Sequence, residues 1–329
     1  MARPSFAFRR APCDPAARID LSAAAAPLEI YADAKFPGPL LHAGLHTPGG
    51  HTMRRMKFTL LATAAALLVP AQACINISDV NLDGKKMEFG EDMAWASKAS
   101  LLPDRANAVS FQKWEKELAT KMAGTPTVRE RSDYGGVLVF LGHFQKAREV
   151  LEAAEQAEPG DYAVASNLGT AYELLGENAK ALEWIRKGIE RKADSHHGTE
   201  WVHVKILEAK LALAGDPKWL ETHTVLGLDY GRDARPVRIG EAPAAKEKYT
   251  VLHGLSYQLR ERLKFVKAPD PLVGDLLFNL ANETAVLGAA KQALGIYELA
   301  AEYKSPDAAL LKQRTEYVRS LVTKGKKRR

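Results

Sequence analysis

The chain has 329 residues, of which 46% are hydrophobic and 26% charged; this composition predicts one large folded domain or two ordinary ones and excludes a disordered chain. Its net charge is +6, yet residues 1–73 hold eight Lys or Arg against four Asp or Glu, and the last six residues hold five Lys or Arg, so the part between is close to −3. A nucleic-acid-binding body is therefore not expected, and Cys13 and Cys74 are too few for a disulfide framework.

The first segment, residues 1–52, is rich in Ala, Pro and Gly and shows little periodicity. We interpret it as an upstream extension. It is either disordered or the product of a start assigned too early, in which case the true start is Met53 or Met56.

Residues 53–73 show, in order, the features of a secretory signal peptide. Met53–Lys57 supplies a positive start, Phe58–Val69 an apolar run of 12 residues, and Ala71–Ala73 a small-x-small end. The run is shorter than the ~20 residues that a membrane-spanning helix needs. A buried core helix is the alternative. We expect an exported protein that is periplasmic or secreted.

Cleavage after Ala73 would leave Cys74 at the new N-terminus, which resembles a bacterial lipoprotein site. The sequence departs from that pattern because Ala71 stands where Leu is usual. Lipid anchoring through Cys74 is therefore the alternative to a soluble envelope protein. The basic tail, residues 324–329, is a second route to an anionic membrane surface.

Residues 74–105 carry scattered Gly, Pro and polar residues, and we expect an irregular leader with a short helix near residues 93–99. Apolar residues then recur at helical spacing from residue 106 to residue 122. Gly124-Thr125-Pro126 ends that predicted helix.

A pattern of small and apolar residues repeats with a period of 34 residues between about residues 128 and 192. Gly135, Ala147 and Ala154 of the first copy match Gly169, Ala181 and Gly188 of the second. The first copy predicts helices over 128–141 and 145–157. The second predicts helices over 162–175 and 178–191. Each copy has apolar stripes that only a stacked neighbour can remove from water.

The pattern continues less regularly towards the C-terminus. A third pair, over 203–215 and 217–221, is displaced by an insertion, and residues 222–243 have the Gly and Pro content of a long loop, a place where function often resides. A helix is predicted over 244–266. A further repeat starts at Gly274, with Ala281, Gly288, Ala293 and Ala300 at its small positions, and a capping helix completes the segment 244–323.

The 34-residue spacing resembles that of the tetratricopeptide repeat. The resemblance implies an all-α fold, an α-α superhelix of stacked helical hairpins, with repeats over 106–221, an irregular N-terminal segment and a long internal loop. It also implies a non-catalytic scaffold or adaptor without cofactors, whose partner is another protein or peptide. With the signal segment, this places the expected scaffold in the bacterial cell envelope. The sequence leaves the oligomeric state open.

In proteins of this kind the first helix of each repeat lines a concave groove for the partner. Carried over by position, the expected partner-binding residues are Arg129, Asp133, Phe140, Asn167, Thr170, Glu173, Phe278, Asn279 and Asn282.

The segment 195–203 carries the alternative function, an enzyme or a metal-binding accessory protein. His196, Glu200 and His203 would share one helical face at zinc-ligand spacing. The interpretation that we prefer is a helix entry capped by Ser195 or Thr199, without a metal. The chain has neither a phosphate-binding glycine motif nor a nucleophile motif.

Overall fold

The structure is a computed structural model that describes residues 77–89, 96–102, 108–240 and 250–327. The expected extension 1–52, the signal segment 53–73 and Cys74 lie outside the described residues. The bounds of the elements are β1 Ile77–Val80, β2 Lys86–Phe89, α1 Lys98–Leu101, α2 Ala108–Met122, α3 Val128–Phe140, α4 Phe144–Ala157, α5 Tyr162–Leu174, α6 Asn178–Arg191, α7 Glu200–Gly215, α8 Trp219–Thr222, α9 Thr250–Arg262, α10 Pro271–Val286, α11 Ala290–Glu302 and α12 Ala308–Lys327. The chain is a mostly helical protein of stacked helices, as the sequence predicts.

The segment that we expected to be irregular contains an antiparallel hairpin, in which Ile77 of β1 pairs with Phe89 of β2. Asn81 closes its turn, because the Asn81 side chain accepts hydrogen bonds from the amides of Asp83 (3.0 Å) and Lys85 (2.9 Å). Asp79 then joins the hairpin to the start of α11 by accepting the Lys291 amide at 2.8 Å. The hairpin thus contacts a distant part of the chain. The sequence of two four-residue strands does not predict such a contact.

The helices of the two repeats, α3 to α6, begin and end within one residue of their predicted bounds. Their small residues are required by packing. A Cβ on Gly135 would lie 2.5 Å from Leu151, and a Cβ on Gly169 would lie 2.7 Å from Ile185. Thr127 starts α3 with a capping box, which fixes where the first repeat begins.

The C-terminal half also follows the prediction in outline. The further repeat is formed by α10 and α11, and α12 packs against α11. The final helix is longer than expected, because it continues through Lys327 into the predicted basic tail. The predicted helix over 244–266 is described from Thr250 onwards, and α9 ends at Arg262.

The buried apolar residues form two clusters. Leu168 belongs to the cluster of the first two repeats, and Leu276 to that of the C-terminal helices and the hairpin. The consecutive residues Ile206 and Leu207 of α7 belong to the second and the first cluster, respectively. Helix α7 therefore packs against both cores. Among the helices of the described residues, none combines the length and the apolar character needed to cross a bilayer.

Candidate partner-binding face

Helices α3 and α5 place five of their residues on one partly exposed polar surface, here called the α3–α5 face. Asn167 joins the two helices, because its side-chain amide donates to the backbone oxygen and the hydroxyl of Ser132, both at 3.2 Å. Arg129 pairs with Asp133 at 3.1 Å, with 56% and 28% of their side chains exposed. The members of the face are Arg129, Asp133, Gly136, Asn167 and Thr170.

The electrostatics of this face combine one ion pair with neutral hydrogen-bonding groups. Burial raises the pKa of the Asp133 carboxyl, and Arg129 opposes that effect. The Thr170 hydroxyl donates to the Ser166 carbonyl at 3.1 Å, so its oxygen still has lone pairs to accept from a partner. Gly136 adds no side chain, which leaves the backbone of α3 accessible beside Asn167. The face can therefore exchange hydrogen bonds with a polypeptide backbone.

Phe140 ends α3 as an exposed aromatic residue. Its ring stacks on Phe111 of α2, with centroids 4.4 Å apart, and on Phe265 beyond α9, with centroids 5.6 Å apart. Lys264 lies over the same ring at 5.4 Å. Phe140 retains 39% of its surface in contact with solvent. It supplies an apolar patch at one end of the α3–α5 face.

Glu173 does not belong to the accessible surface, contrary to the expectation for this residue. Only 6% of it is exposed, because Arg262 of α9 covers it and donates at 2.6 Å. His203 and Lys210 of α7 also contact its carboxylate, at 2.7 and 2.6 Å. Glu173 is therefore the centre of a buried ionic cluster that joins α5, α7 and α9.

The pKa values in this cluster reflect mutual stabilisation of charge. Burial disfavours the ionised Glu173 carboxylate, but Arg262, His203 and Lys210 hold its pKa well below the ordinary value. Burial also disfavours the charged His203 imidazole, but Glu173 and Glu200 outweigh it and raise its pKa to about 9. Glu173 and His203 are thus charged at neutral pH and lie in the interior, where they join helices rather than face a partner.

Phe278, Asn279 and Asn282 of α10 are buried as well, with 7%, 2% and 2% exposure, so the expectation that they line an accessible groove is corrected. The loop after α8 covers this side of α10. Asp275 accepts the Val225 amide of that loop at 2.8 Å. The site expected to receive a partner is thus filled by the chain itself.

Arg314 of α12 fastens the same loop and was not anticipated from the sequence. Its guanidinium donates to the Asn282 side chain at 2.8 Å and to the backbone oxygens of Tyr230 and Gly231 at 2.8 and 2.6 Å. Only 1% of Arg314 is exposed. Arg314 and Tyr230 are 84 residues apart in the chain, so only this long-range contact with the loop identifies the role of Arg314.

The segment 195–203 brings His196, Glu200 and His203 together, but as a chain of imidazole–carboxylate contacts. The backbone of His196 and His197 is left-handed, with φ of 49° and 59°, and α7 starts only at Glu200. Glu200 contacts both His196 and His203, and the second ring nitrogen of His203 contacts Glu173. Both ring nitrogens of His203 thus face carboxylates. In the described ranges no group of three or more His, Cys, Asp and Glu has the arrangement of a metal site.

A family model for the tetratricopeptide repeat matches residues 141–198. A search of curated proteins gives no significant match. The matched span holds α4, α5 and α6, together with the close contact of Gly169 and Ile185 that the 34-residue spacing predicts. Tetratricopeptide repeats serve protein–protein interaction, and proteins that carry them are generally non-catalytic. Residues 141–198 are therefore similar to a tetratricopeptide repeat, and the stacked helices of the structure are consistent with an all-α superhelix of that kind.

Proposed function

We propose that this protein is a non-catalytic scaffold of the bacterial cell envelope that binds a segment of a partner protein on the α3–α5 face. The supporting observation is internal to the chain. The side of α10 that corresponds to this face already holds a loop segment of the same chain, through the hydrogen bond from the Val225 amide to Asp275. The same kind of helix face in the first two repeats remains partly exposed.

The correspondence between the repeats follows from their small residues. Ala281 of α10 takes the position of Gly169 in α5 and Gly135 in α3, seven residues before the turn glycine in each case. Asn279 therefore corresponds to Asn167 and Asp133. Asn279 is buried one helical turn from Asp275, which holds the loop, whereas Asn167 and Asp133 are only partly buried. A partner segment on α3 and α5 would lie where the loop lies on α10.

Crosslinking from defined positions tests this face. A photoreactive amino acid replaces Thr170 on α5 in one variant and Glu183 on α6 in a control variant, since Glu183 is exposed on the second helix of the same repeat. We expect one envelope protein to crosslink to position 170 and not to position 183. Crosslinking to both positions equally, or to position 183 alone, would contradict the proposed face.

The envelope location rests on the signal-like residues 53–73 and is tested separately. We expect the chain, when produced in a bacterial host, to be cleaved after Ala73 and recovered outside the cytoplasm. Mass spectrometry of the mature N-terminus distinguishes the two forms, because a lipid-anchored protein carries a diacylated Cys74 and a periplasmic or secreted protein a free one. An uncleaved chain in the cytoplasmic fraction would refute export.

A further inference from the structure

The loop over Asp229–Ile239, here called the arginine loop, turns one arginine towards a buried glutamate and exposes two apolar side chains. Val237 and Ile239 are each 56% exposed. Arg238 between them is turned inward and pairs with Glu283, whose side chain is 0% exposed. The buried Glu283 carboxylate would be costly without a cationic partner, which Arg238 supplies. Val237 and Ile239, in contrast, gain little stability from burial, because more than half of each residue stays in water. The exposed apolar pair is a candidate for contact with another surface.

The exposed pair is held in place by the core. Asp229 and Ile239 form an isolated β-bridge, in which the Ile239 amide donates to the Asp229 carbonyl at 2.9 Å. The Tyr230 hydroxyl donates to Glu283 at 2.7 Å, and Arg314 holds the Tyr230 carbonyl from beneath. The fold therefore fixes Val237 and Ile239 at the surface.

Two exposed arginines of the same loop accompany the apolar pair. The side chains of Arg232 and Arg235 are 81% and 50% exposed, and they pair with Asp307 and Asp83 at 2.6 and 2.8 Å. Exposed ion pairs of this kind contribute little stability, so a guanidinium can exchange its aspartate for another anion. Guanidinium groups match phosphate oxygens well. Apolar side chains beside exposed arginines suit the boundary between acyl chains and lipid headgroups.

The loop also contacts the part of the chain that follows Cys74, the lipid-anchor site of the alternative to a soluble envelope protein. Asp83, which pairs with Arg235, lies in the turn of the β1–β2 hairpin. That hairpin starts at Ile77, three residues after Cys74. Three residues span at most about 10 Å. A chain anchored at Cys74 would thus keep the hairpin near the bilayer, and the arginine loop near it through the hairpin.

We propose that the arginine loop is a membrane-contact site for an anionic bilayer. Val237 and Ile239 enter the boundary of the acyl chains, while Arg232 and Arg235 bind lipid phosphates. The inference rests on the export part of the proposed function, because an exported chain meets the envelope membranes. It does not depend on the α3–α5 face.

A local fluorescent probe tests the loop. In the full chain with Cys13→Ser and Cys74→Ser, a cysteine introduced by Val237→Cys carries an environment-sensitive dye. A matched chain carries the dye at Leu211→Cys, since Leu211 of α7 is also an exposed apolar residue, at 37%. Vesicles of phosphatidylglycerol and phosphatidylethanolamine are then added. A dye at each position reports its own surroundings, so vesicle binding by residues 53–73 does not imitate insertion of the loop.

We expect a blue shift and higher intensity for the dye at position 237, and no change for the dye at position 211. Adding Ile239→Asp to the 237-labelled chain should raise the vesicle concentration that gives a half-maximal spectral change at least about tenfold. An unchanged spectrum at position 237, or equal changes at both positions, would overturn the proposal. So would a response to lipid-free envelope proteins but not to vesicles, which would indicate protein docking. Failure of crosslinking from position 170 would leave these results unaffected, so the two proposals fail independently.

Discussion

Glu173 and Arg262 lie 89 residues apart in the chain and form an ion pair at 2.6 Å in the interior between α5 and α9. This pair joins a helix of the matched repeat to a helix beyond the long loop. It also explains why Glu173, which the repeat pattern assigns to a binding groove, is not available to a partner.

Replacement of Arg262 by Met should destabilise the protein strongly. The change removes one cation from a carboxylate that is 4% exposed, and the loss of one partner of a buried pair typically costs about 3–5 kcal/mol. Urea unfolding followed by circular dichroism measures the effect. Arg186→Met is the matched control, because Arg186 pairs with Glu208 while 53% exposed and should contribute less than about 1 kcal/mol. Equal losses in both variants would contradict a buried role for Arg262.

The buried cluster should also make stability depend on alkaline pH. The pKa of His203 is raised from 6.5 to about 9 in the folded protein, because two carboxylates outweigh the effect of burial. Stability from the charged imidazole is therefore fully present below pH 6.5 and is lost as the pH rises to about 9. The free energy of unfolding should fall by up to about 3 kcal/mol over this range. In His203→Gln this fall should be absent, and a fall of the same size in that variant would refute the assignment.

Asp275 should produce a pH dependence in a lower range. Burial raises its pKa from 3.8 to about 7, and the Val225 amide opposes this only in part. The folded state thus retains a proton that the unfolded state releases, so the free energy of unfolding should fall as the pH rises from about 4 to about 7. Asp275→Asn keeps an oxygen acceptor for the Val225 amide and has no proton to lose. We expect the variant to lack this fall in urea titrations, and to be more stable than the native chain at pH 8.

Two adjacent glycines of α3 should respond in opposite ways to Ala. A Cβ on Gly135 would meet Leu151 at 2.5 Å, whereas a Cβ on Gly136 would meet only the Asn167 side chain, at 3.4 Å. Gly135→Ala should cost about 1–3 kcal/mol through overpacking. Gly136→Ala should be neutral or stabilise by up to about 1 kcal/mol, because Ala favours a helix. Thermal and urea unfolding measure both, and a reversed order would contradict the close packing of α3 on α4.

Combining Gly135→Ala with Leu151→Ala tests the same contact directly. Leu151→Ala alone should cost about 2–5 kcal/mol, because it leaves a cavity in the core. The added methyl group at position 135 should fill part of that cavity, so the double variant should be less destabilised than the sum of the single ones. Simple additivity would mean that the two side chains do not compete for one space.

The repeats could be predicted from the sequence because their signals are local. Gly169 and Ile185 are 16 residues apart, and both the small residue and its apolar partner recur 34 residues earlier as Gly135 and Leu151. Such short-range patterns give the bounds of α3 to α6 closely. Of the expected binding residues, Arg129, Asp133, Asn167 and Thr170 lie on a partly exposed face, and Phe140 lies at its end.

The burial of the other expected binding residues could not be predicted, because it depends on segments far away in the chain. These residues are Glu173, Phe278, Asn279 and Asn282. The repeat pattern assigns Asn282 to a groove, but Arg314 donates to its side chain and, with the same guanidinium, to the Tyr230 carbonyl of the loop. The β1–β2 hairpin could not be predicted for the same reason, because Asp79 accepts a hydrogen bond from the amide of Lys291, 212 residues further along the chain. Long irregular loops carry no periodic signal, and their docking sites are therefore invisible to pattern analysis.

The position of α7 between the two apolar clusters limits how the molecule can be divided. A fragment that stops at residue 198, where the family match ends, would lack Leu207 and so leave the apolar cluster of the first two repeats incomplete. A fragment that starts at α7 would expose Leu207 to solvent, because it lacks the other residues of that cluster. Neither half has a complete interior of its own, so binding studies that isolate the repeat need α7 on the same polypeptide.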